Sequence, residues 1–142
     1  MFIDALLRVA NAQAFGAAAV SASSIDLGLT TPKRHIGTGE PMGFGIAITT
    51  TATVAPVLVE VISATDAALT AGIVVESSII IPLASAVAGA LFFVPIPQGR
   101  PNQQFLGVRL TTAGGTVSAS AWLSKHDSFS VMPENYAKNY AI

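Results

Sequence analysis

Cysteine is absent from the 142 residues, which removes disulfide frameworks, thiolate nucleophiles and thiolate metal sites together and leaves the redox compartment unread. Charge is nearly as scarce. Only 11% of residues are charged, and 7 Lys plus Arg stand against 8 Asp plus Glu, so the basic footprint of a nucleic-acid binder is missing. Aromatics make up 7%, with a single tryptophan, and there are two histidines. The bulk of the chain is small and apolar: 51% is hydrophobic, mostly Ala, Val and Ile, far from the composition of a disordered segment. The length suits one domain, residues 1–142, able to bury roughly two-thirds of its unfolded surface without a staple. A surface with so few charges suits a protein that spends its life assembled on something.

Such hydropathy calls for a membrane test. Residues 77 to 99, "SSIIIPLASAVAGALFFVPIPQG", carry no charge and are long enough to span a bilayer as a helix. Pro82, Pro95 and Pro97 interrupt that run, and neither flank has clustered Lys or Arg, so no membrane span is expected. Asp4 and Arg8 fall where a secretory signal needs an uninterrupted apolar core, so no signal is expected either.

The stretch "HIGTGEPMGFGIAITTTATV" looks at first like a phosphate cradle. Gly37, Gly39, Gly43 and Gly45 miss the dinucleotide spacing, however, and the residues after them alternate with period two instead of opening a helix whose dipole would hold phosphate. Ile46, Ile48, Ala52 and Val54 share one face and Ala47, Thr49, Thr51 and Thr53 the other, which predicts a half-buried strand preceded by turn chemistry. The same reading repeats at 57–63, 73–77, 79–83, 91–97, 104–110 and 116–126, β-branched or aromatic runs separated by Gly-, Ala- and Ser-rich turns. Many short strands at close spacing predict an all-β sandwich of jelly-roll or Greek-key type spanning 16–126, with a short N-terminal arm at 1–15 and a C-terminal tail at 127–142. Pro95 and Pro97 share parity, so both missing N–H groups lie on one side of their strand, and that side should be a sheet edge.

Reactive chemistry is thin. Asp127 adjoins His126, but neighbours on a strand point to opposite faces, and His35 sits in the basic turn "PKRH"; neither histidine belongs to a ligand set. No serine lies in a nucleophile elbow, Ser124 belongs to a serine row, and the carboxylates are scattered singly. These patterns predict no enzyme, no cofactor and no metal.

Contact features stand out more. In "TVSASAWLSKH" the core face is Val117, Ala119, Ala121 and Leu123, which leaves Trp122 on the opposite face, for the chain's own tail or for a partner to cover. Phe129, Met132, Tyr136 and Tyr140 are anchors spaced along a polar tail that reads as a docking arm. Phe2, Ile3, Leu6 and Leu7, with Val9, give an apolar face at helical spacing, either a short helix or an extended arm that packs on its own sandwich or reaches a neighbour.

With these segments in order, "DALLRVANAQAF" leading to "SSIDLG", then "IGTGEPMGFGIAI", "VLVEVISATDAAL", "FFVPIPQG" with "QQFLGVRL", and "SASAWLSKHD", the chain resembles the jelly-roll capsid cement, or decoration, proteins of tailed double-stranded DNA bacteriophages. The resemblance implies a non-enzymatic protein on the outer surface of the virion capsid that bridges subunits of the major capsid protein. It would act with copies of itself, as a homodimer ahead of a homotrimer, with no nucleic acid or membrane as partner. Two footholds on neighbouring capsomers would then act as one, since the second binding event is intramolecular. A carbohydrate- or receptor-binding module of a tail fibre or adhesin is the alternative, although Trp122 stands nearly alone where such a module would cluster exposed aromatics.

Overall fold

The computed structural model describes residues 7–28, 41–97 and 101–125. Among these, nine antiparallel strands form two sheets: β1 (Arg8–Phe15), β2 (Ala19–Val20), β3 (Ile25–Asp26), β4 (Met42–Thr50), β5 (Val57–Ala64), β6 (Val74–Ile81), β7 (Leu91–Pro95), β8 (Phe105–Thr112) and β9 (Val117–Lys125). One sheet runs β1-β9-β4-β7, and the other runs β2-β8-β5-β6 with β3 also on β8. The all-β sandwich expected from the alternating runs is therefore what the chain forms. With β2 and β3 counted as one broken strand, the order is compatible with jelly-roll connectivity.

The core arises from period-two alternation on facing strands. Phe44, Ile46 and Ile48 of β4 meet Leu123, Ala121 and Ala119 of β9 in register, and all six are buried. From the other sheet, Val57, Val59 and Val61 pair with Thr112, Leu110 and Val108 to close the layer. Burying a Val, Leu or Ile side chain contributes about 1.5–3 kcal/mol, so this interlayer cluster supplies the main driving force. A satellite cluster lies on the outer side of the second sheet, where Ile62, Ala64 and Leu69 are buried with Val20 and Phe105 against them. Leu69 reaches it from the β5–β6 loop in a left-handed conformation (φ 57°), held by Asp66, whose carboxylate accepts from the Thr70 amide at 2.9 Å, the Ala71 amide at 2.8 Å and the Thr70 hydroxyl at 2.6 Å.

Several expectations are corrected. The segment expected as a terminal arm contributes β1 from Arg8 onward, paired with β9 inside the sandwich across two register breaks, because β9 offers an edge that an apolar stretch also fitting helical spacing can take as a strand. The runs at 73–77 and 79–83 are one strand, β6, with a register break opposite Val61 and Ile62. The 77–99 stretch divides among β6, a 3-10 turn at Leu83–Ser85 and β7, and no helix among the described residues is long and apolar enough to cross a membrane. Val54 leaves the core face: β4 stops at Thr50, and Val54, 62% exposed, leans over the β8–β9 turn, within 2.9 Å of where a Cβ on Gly114 would stand. Gly43 and Gly45 lie within β4 and not in the turn before it. The edge expectation holds: β7 borders its sheet, and the Ile96 amide donates to the Met42 carbonyl at 2.8 Å, which turns the Pro95 and Pro97 nitrogens outward.

Candidate functional site

The strand register gathers an unusual row on the outer side of the first sheet. Arg8 stands opposite Trp122, Trp122 opposite Gly45, and Gly45 opposite Phe93, so two aromatic rings and a guanidinium flank a position without a side chain. Gly43 lies one pleat further along. A Cβ there would fall 2.7 Å from Phe93 Cζ and 2.2 Å from the Val94 carbonyl oxygen, so glycine is what allows the ring and β7 to approach. The side of the sheet expected for Trp122 is correct, and the residue is outside the interlayer core cluster. It is nonetheless only 3% exposed, so it offers little surface to a further molecule.

Beside this row, the edge strand β1 is irregular. Its register with β9 breaks between Arg8 and Ala10 and again between Ala10 and Gln13, and Ala12 is left-handed (φ 46°) with its amide donating to Ser120 Oγ at 2.8 Å. The segment after β2 lies against it. Gln13 Nε2 donates to the Val20 carbonyl at 2.8 Å, the Ala22 amide donates to Gln13 Oε1 at 2.7 Å, and the Ser23 amide donates to the Val9 carbonyl at 3.0 Å. One side-chain amide thus does for the bulged strand what a backbone pair does in a regular ladder. Between the bulge and this strap opens a cleft of about 460 Å³ lined by Arg8, Val9, Ala10, Asn11, Gln13, Ala22 and Ser23. Arg8 Nη1 donates to Asn11 Oδ1 at 3.2 Å, while Arg8 Nε is buried without an acceptor.

Two more polar constructions were not legible from spacing. Glu76, in the stretch of β6 where the register with β5 breaks, is 7% exposed; it accepts from Ser63 Oγ at 2.5 Å, the Asn102 amide at 2.7 Å and Asn102 Nδ2 at 3.2 Å. A lone glutamate in an otherwise apolar and hydroxyl run was the available signal. On the outer side of the second sheet, Arg109 Nε donates to Glu60 Oε2 at 2.6 Å across directly opposed positions, and that hydrogen bond raises the arginine's pKa further above its ordinary value. Among the described residues no group of three or more His, Asp or Glu could hold a metal ion.

Of the expected contact residues, Leu7 packs against the interlayer core. Phe2, Ile3, Leu6, Phe129, Met132, Tyr136 and Tyr140 lie outside the described residues, as do His35 and His126.

A family model, Bbp16, matches residues 9–124. The chain belongs to the Bbp16 family. That span runs from the second residue of β1 to the penultimate residue of β9 and so takes in the whole sandwich. The family name suggests a phage-related protein, and the all-β fold is compatible with a structural role of that kind. No curated protein matches the chain.

Proposed function

We propose that this Bbp16-family chain is a capsid decoration protein, attached to the outside of a phage head and bridging neighbouring major capsid protein subunits without catalysing a reaction. The observation that supports it most is the coincidence of a family name suggestive of phage with a sandwich whose exposed positions include Ile80 (70%), Val54 (62%), Val87 and Val75, on a chain with only 11% charged residues. Isolated exposed aliphatics are ordinary. Few charges around them lower the desolvation cost of laying the protein against a large protein surface, and a stable contact of this kind buries about 1,200–2,000 Å². Bridging needs two such footholds, and copies of the chain arranged about a symmetry axis would provide them.

The experiment is co-sedimentation of the purified protein with empty phage heads, together with the heads' resistance to heat and low salt. Saturable binding at a fixed ratio to capsid subunits, with heads that survive harsher treatment, is the expected result. A protein that stays in the supernatant at all concentrations, and binds immobilised glycans instead, would replace this reading with the receptor-binding one.

A further inference from the structure

We infer that the cleft between the bulged strand β1 and the strap at 20–23 is a docking site for a carboxylate side chain of a partner protein, received by Arg8. The inference deepens the decoration reading by assigning one contact and its chemistry, and it rests on that reading for the partner's identity, a capsid subunit.

Four observations converge. First, Arg8 is an incompletely used cation: Asn11 Oδ1 holds Nη1, Nε is sealed from water with no acceptor, and no carboxylate among the described residues pairs with it. A buried donor left unsatisfied carries a desolvation penalty that an incoming acceptor removes. Second, Asn11 fixes one end of the guanidinium and leaves the Nη2 and Nε edge, the two parallel donors that take a carboxylate as a fork. Because Nε is buried as it stands, a carboxylate would engage it only once the side chain rotates toward the cleft. Third, the rest of the lining is small and neutral, Val9, Ala10, Ala22 and Ser23, and Gln13 has both ends of its amide engaged with the strap. Nothing else in the cleft competes for an anion, and its volume of about 460 Å³ exceeds what one acidic side chain needs. Fourth, the cleft opens beside the irregular stretch of β1. Ala12 holds φ 46° between two register breaks, a conformation costly for a residue with a Cβ, and a bulge of this kind at a sheet edge re-aims side chains.

The test uses the full chain in two assays. In the first, Arg8→Gln and Asn11→Asp are compared with the unaltered protein for binding to empty phage heads, with thermal unfolding in parallel. Arg8→Gln removes the cation. Asn11→Asp, at an exposed position, supplies a carboxylate from within, so it should occupy Arg8 without weakening the fold. Both should bind heads at least about tenfold more weakly, the lower end of the effect of losing a hydrogen-bonded charge pair at an interface, while Asn11→Asp melts no lower than the parent. Unchanged binding of both variants would overturn the inference while leaving the decoration reading standing. In the second, the Arg8 Nε–H resonance is followed by NMR during titration with a capped tripeptide carrying a central glutamate, and with its glutamine counterpart. A saturable shift with the first and none with the second supports the site even if the parent protein fails to bind heads, the outcome that would sink the decoration reading alone. Equal shifts with both peptides, or no shift with either at millimolar concentration, would overturn it.

Discussion

Replacing Glu76 by Ala should be among the most damaging changes to the second sheet, although it deletes a charged residue from a strand of a protein that has few charges. The carboxylate accepts from Ser63 Oγ at 2.5 Å, the Asn102 amide at 2.7 Å and Asn102 Nδ2 at 3.2 Å. Ser63 is fully buried, so its hydroxyl would lose this acceptor where water cannot replace it; Asn102 is half-buried and can be rehydrated in part. Stranding a buried donor costs about 1–3 kcal/mol, and a hydrogen bond to a charged group contributes about 1.5–3 kcal/mol. Counting the serine in full and the asparagine at half gives about 3 kcal/mol. At this chain length 1 kcal/mol moves the melting temperature by about 3 °C, so Glu76→Ala should melt about 10 °C lower. Glu76→Gln keeps one acceptor oxygen and should lose less than half of that. The assay is thermal and urea unfolding of Glu76→Ala, Ser63→Ala and the double variant. If the hydroxyl and carboxylate form one unit, the double variant should cost clearly less than the two singles added together. A Glu76→Ala variant within about 0.5 kcal/mol of the parent, or strict additivity in the cycle, would refute the reasoning.

Gly43→Ala should destabilise by about 3 kcal/mol or more, at the top of the range for overpacking, because two of the three atoms its Cβ would strike, the Val94 oxygen at 2.2 Å and Pro95 Cα at 2.8 Å, are backbone and β7 would have to move; a denaturant midpoint like the parent's would show that β7 has no such constraint. Asp66 is held below the ordinary aspartate pKa, first by the Thr70 hydroxyl and then by the Ala71 amide. Its folded-state value lies under its unfolded one, so the stabilisation is present at neutral pH and is lost as the pH drops through the unfolded and then the folded value. The stability difference between the parent and Asp66→Ala should therefore be constant from pH 7 to about 5 and shrink below the usual carboxylate range; a difference that grows on acidification would contradict the assigned hydrogen bonds.

The local pattern in the chain determined most of the architecture. β-branched and aromatic runs at 57–63 and 104–110 named β5 and β8, and alternation at 116–126 also marked the buried face of β9, because a one-residue slip would turn Ala119 out of the core. Shared parity of Pro95 and Pro97 placed a sheet edge correctly, since a missing N–H is harmless only where no strand is waiting for it. Tertiary structure decided the rest. Whether the apolar start of the chain becomes helix or strand depends on β9 offering an edge to Arg8–Phe15, which no spacing within "RVANAQAF" encodes. Bulges are likewise invisible locally: the extra residue at Ala12 costs a ladder bond that a distant partner, the Ser120 hydroxyl, makes good, and the bulged Glu76 finds for its carboxylate the distant Ser63 and Asn102. The seat for Phe93 over Gly43 and beside Trp122 needed β4, β7 and β9 brought side by side from well-separated parts of the chain. Side-chain periodicity records which face of a strand is buried; which strands become neighbours, and what their outer faces then assemble, is set by the packing of the whole sandwich.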